Sequence, residues 1–307
     1  VTVSVLYWTT FSAPMRRVAI IALSLVLAAV ASAAIVAAPE STNEEPTEVP
    51  VPNPHNLRCP GYPNPYPVNR DAPALVSTAP NGKLYKAGKG SDTFFVTHVF
   101  GTYYDMGKAQ GVLHKERIPV GLNRFYDWLA AQIEAKVEWI PAWVAGVVAD
   151  FGVPFAMELT WNATKPFLPA KYLDELNGLA DGAGVARQDI YNINMIAELI
   201  KAQCSVIGAN GKATQNSLNG TLVHLRTLDG MGGASMPIKD YANVVVYHPD
   251  ASLNEHAVAN FGWVSFIGSV TGFGETIGIG EKYWGGQPDS NMTARGEAWT
   301  FLTRDLL

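Results

Sequence analysis

Three side chains that could do nucleophilic chemistry fall within one predicted β-hairpin. Cys204 begins a short strand, and Arg226 and Asp229 lie at the end of the strand that would pair with it. Between the two strands, Asn210-Gly211 and Asn219-Gly220 mark a turn region, because such dipeptides favour the backbone conformations of tight turns. The pattern therefore brings a thiol, a guanidinium and a carboxylate together at one end of a hairpin.

A cysteine at the start of a strand is suited to act as an N-terminal nucleophile. A thiol is mostly protonated at neutral pH and needs a base before it can attack a carbonyl carbon. Cleavage between Gln203 and Cys204 would free an α-amine that could be this base, Asp229 could hold the new ammonium, and Arg226 could bind the carboxylate or the substrate carbonyl. The alternative is structural, because an isolated cysteine is commonly a small buried hydrophobe and an Arg-x-x-Asp pair commonly lies on the surface.

Several stretches of the sequence together resemble one group of N-terminal nucleophile (Ntn) hydrolases. This group contains acid ceramidase, N-acylethanolamine-hydrolysing acid amidase and the penicillin acyltransferase-type enzymes. The nucleophile region is similar to the group's Cys-[Thr/Ser] and Arg-Asn-Leu-Asp motifs, and the residues before it resemble the group's helix-turn-helix and its Gly-x-x-Tyr-x-x-Gly-x-x-x-Gly segment. The matching residues are Cys204-Ser-Val-Ile, Arg226-Thr-Leu-Asp229, Glu175 to Val185, Ile190 to Asn194, and Gly101, Tyr104, Gly107 and Gly111.

The resemblance implies a fold, an activity and a set of site residues. The fold would be α+β, a four-layer αββα sandwich that is C-terminally truncated in this chain. The catalytic residues would be Cys204, Arg226 and Asp229, with self-cleavage between Gln203 and Cys204. The group's oxyanion-hole asparagine, and the cysteine that pairs with an early cysteine such as Cys59, would lie beyond the stretch that matches, so the sequence offers a counterpart for neither.

Two further residues, Glu281 and His224, could contribute to the site. Glu281, within Gly278-Ile-Gly-Glu-Lys282, resembles the acidic residue of the group's segment near the substrate pocket, and we expect it to contact substrate. The competing interpretation is a solvated charge beside Lys282. His224 shares a strand face with Arg226, because alternate residues of a strand point the same way. We assign it no catalytic role, since most such histidines are structural.

The N-terminal part of the sequence has the composition of a leader followed by a linker. Residues 1–14 are a possible extension of the gene model, and residues 15–33 have the charged, apolar and A-x-A segments of a signal peptide. An uncleaved anchor is the alternative, because residues 18–38 carry no charge. Residues 34–90 form a Pro-rich arm that holds eleven of the chain's 20 prolines.

The remainder divides into a helical part, residues 91–203, and a β-rich part, residues 204–307, which we expect to become the α and β chains after self-cleavage. The helical part should open with a strand at Phe94 to Phe100. The β-rich part should contain short antiparallel strands and a final helix. This order is typical of an α+β domain with helices packed on sheets. The expected later elements are strands at Ala242 to His248, Glu255 to Gly262, Val264 to Thr271 and Thr276 to Gly280, and a helix at Arg295 to Leu307.

The stretch from Trp139 to Trp161 is unusually apolar and aromatic, with three Trp, two Phe and only two charged residues. One interpretation is a pair of buried core helices broken at Pro154. The other is an exposed apolar surface that contacts a membrane, where aromatic residues are favoured.

Secretion is consistent with three N-x-S/T sequons, at Asn162, Asn219 and Asn291. With the signal peptide, they indicate the secretory pathway, and therefore a secreted or lysosomal glycoprotein.

Several other kinds of function find little support in the sequence. The six histidines lack metal-ligand spacing, and Gly272-x-Gly274 begins no complete dinucleotide motif, so we expect neither a metal nor a cofactor. A net charge of −5 with no basic run argues against a nucleic-acid partner.

The sequence thus predicts an amidase of the acid ceramidase type, with a long-chain N-acyl lipid such as a ceramide or N-acylethanolamine as substrate. Cys204 would attack the amide carbonyl, release the amine and pass through an acyl-thioester that water clears. Two alternatives remain open: acyl transfer to an amine, as in the penicillin-type enzymes, and a secreted, non-catalytic lipid-binding relative.

Overall fold

The computed structural model of the protein describes residues 71–90, 93–134, 152–199, 203–229, 236–282 and 296–307, together with Val148. All of these residues belong to one unit, Val68–Leu307. The predicted signal peptide, the Pro-rich arm before residue 71, Cys59 and the sequon at Asn291 lie outside the described residues.

A seven-stranded mixed sheet forms the centre of the fold. Its strands lie in the order β1-β2-β3-β6-β7-β8-β9, with β3 and β6 parallel and the other neighbours antiparallel. Two more strands, β4 and β5, form a separate antiparallel sheet. The strands are β1 Ala74–Ala79, β2 Gly82–Ala87, β3 Phe94–Gly101, β4 Gln203–Ala209, β5 Val223–Asp229, β6 Ala242–Pro249, β7 Val258–Trp263, β8 Thr271–Phe273 and β9 Gly278–Gly280.

Most of the helices come between β3 and β4 in the chain, and the last follows β9. They are α1 Tyr103–Leu113, α2 Arg117–Glu134, α3 Val153–Thr164, α4 Ala170–Ala183, α5 Arg187–Asn194, α6 Ile196–Leu199, α7 Gln215–Leu218 and α8 Trp299–Asp305. The first begins at a capping box, in which the Thr102 side chain accepts a hydrogen bond from the Asp105 N–H and the Asp105 carboxylate accepts one from the Thr102 N–H. The predicted α+β class is confirmed.

One face of the large sheet carries the helices. Residues of β6 alternate between buried and half-buried positions, as expected of a strand whose two faces meet different surroundings. On the helix side, Thr97 of β3 donates a hydrogen bond to Asn243 Oδ1 at 2.7 Å and contacts His114 Nε2, just after α1, at 2.9 Å. Val99 and Val245 lie on the same face within the hydrophobic core.

The small sheet packs on the opposite face of the large one, at its β8–β9 end. The His224 ring of β5 meets the Phe273 ring of β8 edge to face, with centroids 5.5 Å apart, and lies against Gly280 of β9. Strand pairing places Phe273 beside Ala259. The next residue, Asn260, is buried and pairs with Val245 on the helix side. The described layers therefore run helices, large sheet, small sheet.

Helices α1 and α4 cross with their backbones almost in contact. A Cβ added to Gly107 or Gly111 of α1 would lie 2.1 or 2.3 Å from a carbonyl oxygen of α4, and one added to Gly178 or Gly182 of α4 would lie 2.1 or 2.2 Å from a carbonyl oxygen of α1. No side chain fits at these distances, so the four glycines set the helix spacing. Gly107 and Gly111 of the Gly-x-x-Tyr-x-x-Gly-x-x-x-Gly segment thus have a structural reason to be glycine.

Two predicted boundaries differ from the structure. The predicted Pro-rich arm extends to residue 90, but residues 74–87 form the β1–β2 hairpin, which adds to the edge of β3. The predicted strand from Val264 to Thr271 is wrong, because only Thr271 of that span lies in a strand. Ser265 has a φ of +72°, outside the range of extended strands, and the preceding residues leave the sheet there.

Replacing Gly111 by alanine should destabilise the fold strongly. The new methyl group would lie 2.3 Å from the Leu179 carbonyl oxygen, so α1 must move away from α4. Overpacking of this kind costs about 1–3 kcal/mol or more. Urea unfolding should show this loss of free energy, while Val112→Ala, at an exposed site of the same helix, should change it by less than about 0.5 kcal/mol. Equal effects of both substitutions would contradict the close crossing.

His114 should make the protein less stable in acid. Burial, reinforced by the charge of Arg117, lowers the pKa of His114 from 6.5 to about 3. The neutral ring thus stabilises the fold above pH 6.5, and this contribution is lost as the pH falls toward 3. Within that window the free energy of unfolding should fall by up to about 1.4 kcal/mol per pH unit from this residue alone.

Urea unfolding at several pH values checks this slope. His114→Gln should be less stable at neutral pH yet lose less free energy on acidification. His256→Gln, at an exposed histidine, should keep the wild-type slope. A wild-type slope in His114→Gln would exclude this histidine as the cause.

Candidate active site

Strands β4 and β5 form an antiparallel hairpin across the predicted turn. Cys204 pairs with Leu228, and Val206 pairs with Arg226. The thiol and the guanidinium therefore lie on the same face of the hairpin, as diagonal neighbours two residues apart along the strand direction. The connecting turn includes Gly211 and Asn219 with positive φ, the conformation that Gly and Asn adopt most readily. Turn chemistry and strand alternation together therefore place Arg226 beside Cys204.

Cys204, Arg226 and Glu281 form a three-membered polar cluster. The Cys204 thiol donates to Glu281 Oε2 at 2.9 Å, and Arg226 Nη2 donates to Cys204 Sγ at 3.0 Å. Arg226 Nη2 lies 3.5 Å from Glu281 Oε2, which closes the triangle. Cys204 is fully buried, and the side chains of Arg226 and Glu281 are only 10% and 14% exposed, so the solvated interpretation of Glu281 is wrong.

The cluster holds the thiol in its protonated form. Burial and the hydrogen bond to Glu281 raise the pKa of Cys204 from 9.0 to about 11, and the Arg226 charge opposes them. A buried thiol beside a carboxylate is a poor nucleophile until the carboxylate, or another base, takes its proton. The geometry supplies such an acceptor within hydrogen-bond reach of the sulfur.

Arg226 brings a further donor to the site. Its Nε is buried and lacks a hydrogen-bond partner in the described part of the chain. A buried unpaired donor on a cation is costly, so such a group commonly awaits a ligand. A carbonyl oxygen or carboxylate that enters the site could accept from it.

The position of Asp229 relative to the predicted cleavage site follows from the strand pairing. The backbone of Asp229 pairs with Gln203, directly across the hairpin and next to the Cys204–Leu228 pair. The side chains of Asp229 and Gln203 lie outside what is described. The backbone alone brings Asp229 opposite the residue whose bond to Cys204 was predicted to break.

Glu281 reaches the cluster from the other sheet. It follows β9 directly, and its N–H donates to the Val270 carbonyl at 2.9 Å, which fixes the backbone at the end of the strand. Of the two preceding β9 glycines, Gly280 lies against the His224 ring and Gly278 lies against the Phe273 ring. The sequence predicts no catalytic role for His224, although its strand face, shared with Arg226, already places it beside the cluster.

The other predicted surface features have mixed outcomes. Asn162 on α3 and Asn219 in the hairpin turn are exposed, as a glycosylated asparagine must be. Of the apolar stretch 139–161, residues 139–147 and 149–151 lie outside the described residues. Its end belongs to α3, where Val153, Met157 and Trp161 are core residues and Phe155 is exposed. That part supports the buried-helix interpretation.

The described residues contain no group of three or more His, Cys, Asp or Glu side chains arranged to hold a metal ion. Among the described helices, none combines the length and apolar character needed to cross a bilayer.

The sequence matches no protein-family model. It is similar to two proteins of Dictyostelium discoideum. Protein dcd1A is 32% identical over 81% of this chain and 57% of its own length, and Protein dcd1B is 33% identical over 79% of this chain and 48% of its own length. The chain therefore spans about half the length of the curated relatives it matches, and their names state no activity.

Replacing Glu281 by glutamine should lower the pKa of the Cys204 thiol. The change removes a negative charge and a strong acceptor that favour the protonated form, while Arg226 remains to stabilise the thiolate. We expect a fall of about one unit, which means about tenfold more thiolate at a pH well below the midpoint.

The thiol can be followed by NMR in a Cys59→Ser background, with ¹³Cβ-labelled cysteine as the single reporter. Lys282→Gln removes the neighbouring exposed charge and should leave the titration unchanged. A midpoint that stays at the wild-type pH in Glu281→Gln would show that the thiol and carboxylate are not in contact.

Proposed function

We propose that this chain carries the nucleophile of an Ntn-type cysteine amidase, made as a precursor and activated by cleavage between Gln203 and Cys204. The observation that carries the proposal is the contact of the buried Cys204 thiol with both Glu281 and Arg226 at the start of strand β4. A purely structural cysteine needs neither a carboxylate nor a guanidinium beside it, because a thiol packs well among apolar side chains.

Self-cleavage would begin with attack of Cys204 Sγ on the Gln203 carbonyl carbon. The thiol proton passes to Glu281 Oε2, 2.9 Å away. The C–N bond then breaks, the departing nitrogen of Cys204 takes up a proton, and the Gln203 acyl group is left as a thioester. Water hydrolyses this thioester and yields a carboxylate on Gln203, a free thiol and a free α-amine on Cys204.

The same sulfur would then act on substrate. The new α-amine removes the thiol proton, Sγ attacks the amide carbonyl, and the leaving amine departs with a proton. Water clears the acyl-thioester to release the acid. Asp229, opposite Gln203 in the hairpin, would hold the ammonium, and the unpartnered Nε of Arg226 would donate to the substrate carbonyl.

The layer order supports the finer fold proposal, an αββα sandwich. Helices, large sheet and small sheet already make three layers. The outer face of the small sheet exposes apolar side chains, with Ile207 60% and Leu225 50% exposed. Exposed apolar residues clustered on one sheet face are typical of a surface that another layer covers. A fourth, helical layer would complete the sandwich there.

An N-acyl lipid is the substrate class we propose, with the protein in the secretory pathway and delivered outside the cell or to the lysosome. The support is the resemblance of the motif residues. The apolar stretch 139–161 remains a proposed contact with the membrane surface, through its residues outside α3.

Self-cleavage is tested on the full-length protein. Denaturing gels should show two pieces, and N-terminal sequencing of the second should begin at Cys204. Cys204→Ala should stay in one piece, and Ser205→Ala, at the adjacent position, should cleave like the wild type. A wild-type protein that never splits would refute the precursor mechanism and favour the lipid-binding alternative.

Turnover is tested on the cleaved protein with a fatty N-acyl amide. Free fatty acid should form, and hydroxylamine should trap the acyl-thioester as a hydroxamate. If an added acceptor amine becomes acylated in place of hydrolysis, the reaction is acyl transfer and the hydrolase assignment is wrong.

A further inference from the structure

The β9 strand, Gly278-Ile279-Gly280, is shaped to receive a ring. Gly278 and Gly280 point to the same face, because alternate residues of a strand do so. A Cβ at Gly280 would lie 2.7 Å from His224 Nε2, 2.9 Å from its Cε1 and 3.1 Å from Val206 Cγ1. A Cβ at Gly278 would lie 2.8 Å from Phe273 Cε1 and 3.6 Å from His224 Nδ1. The missing side chain of Gly280 therefore leaves the space that the imidazole fills, and that of Gly278 leaves space for the Phe273 ring beside it.

The ring lies between two strands of different sheets, and on each strand a residue of the thiol cluster follows closely. On β5, His224 precedes Arg226 by two residues on the same face. On β9, Gly280 is followed at once by Glu281. The ring is held from the side by Phe273, whose centroid is 5.5 Å away at an interplanar angle of 81°. The imidazole therefore sets the distance between β5 and β9, right beside the place where the Glu281 carboxylate crosses from one sheet to the Cys204 thiol on the other.

The imidazole makes this contact by packing. Its Nδ1 is buried and has no hydrogen-bond partner in the described residues. The Gly280 contact is with ring atoms Nε2 and Cε1, edge-on to a glycine that offers no side-chain acceptor. A smaller residue would let the two sheets approach or slide, and a side chain on β9 would push them apart.

We propose that His224 is a positioning residue for the Cys204 site. Its ring, packed against Gly280 of β9, sets the sheet separation at which the Glu281 carboxylate contacts the Cys204 thiol. The reaction that this contact would serve is the one in the proposed function. The contact itself is inferred from the geometry of the described residues alone.

The test uses the Cys59→Ser protein with ¹³Cβ-labelled cysteine, and follows the thiol titration of Cys204 in each variant. His224→Ala empties the space between the strands, whereas Gly280→Ala fills it with a methyl group, so the two perturb the contact in opposite ways. Both should lower the titration midpoint by about one pH unit, as Glu281→Gln does, because the carboxylate no longer reaches the sulfur.

His224→Phe keeps a ring of similar size without a titrating group and should keep a midpoint close to that of the wild type. Gly208→Ala is the matched glycine control. Gly208 pairs directly with His224 across the hairpin, and an added Cβ there would meet no atom within 4 Å. It should leave the midpoint unchanged.

Combination with Glu281→Gln separates positioning from a general loosening of the site. If His224 acts through Glu281, adding His224→Ala to Glu281→Gln lowers the midpoint no further. A further fall would mean that the ring shields the thiol from water, and would overturn the proposal. So would wild-type midpoints in both His224→Ala and Gly280→Ala, or a His224→Phe midpoint equal to that of His224→Ala.

The mass of each sample records whether the Gln203–Cys204 bond is intact, and only samples in the same state are compared. Circular dichroism confirms that each variant is folded. A protein that never cleaves would defeat the proposed function while the titrations still decide the inference. Unchanged titrations in a cleaving protein would defeat the inference alone.

Discussion

The buried ion pair between Arg304 and Glu175 is the contact on which the layered structure depends. Arg304 Nη1 donates to Glu175 Oε1 at 3.0 Å and to the Ile267 carbonyl at 2.9 Å, and the guanidinium lies 4.0 Å from the centre of the Tyr247 ring. One side chain thus joins α4, α8, a loop and β6. Burial raises the pKa of Glu175, and the Arg304 charge opposes that rise. Neither charge is tolerable without the other, since an unpaired buried charge costs about 3–5 kcal/mol.

The ion pair also crosses the proposed cleavage point. Glu175 precedes Cys204 in the chain, and Arg304 follows it. Two hydrogen bonds likewise join a residue before Cys204 to a residue after it. Asn194 accepts from the Ile267 N–H at 2.9 Å, and Glu198 accepts from the Trp299 N–H at 2.9 Å. The parallel β3–β6 pairing joins the same two parts within one sheet. Loss of a single peptide bond would therefore leave a shared core and sheet intact, and the two chains would stay together without a covalent link.

Local signals made part of the site predictable, and long-range packing explains the rest. The Asn-Gly turns and strand alternation were enough to pair Cys204 with the strand of Arg226. They could not place Glu281, which comes from the far edge of another sheet. Nor could they show that residues 264–270 leave the sheet, where a buried Ser265 of positive φ is held by a hydrogen bond from Asn194 to its carbonyl. The apolar composition of that segment is equally compatible with a strand and with a buried loop.

The same cluster is suited to two reactions because cleavage would change the base. In the intact chain the thiol is buried beside a carboxylate, and its pKa near 11 keeps it from reacting with incoming electrophiles. The Gln203 carbonyl belongs to the adjacent peptide bond, so the chain itself would hold this electrophile next to the weak nucleophile. An α-amine has a pKa of about 8, so once freed it would supply a base at neutral pH on the same residue as the sulfur. Its protonated form would stabilise the thiolate, as Arg226 does. Glu281 would then be released from proton transfer and free to bind the amine side of a substrate.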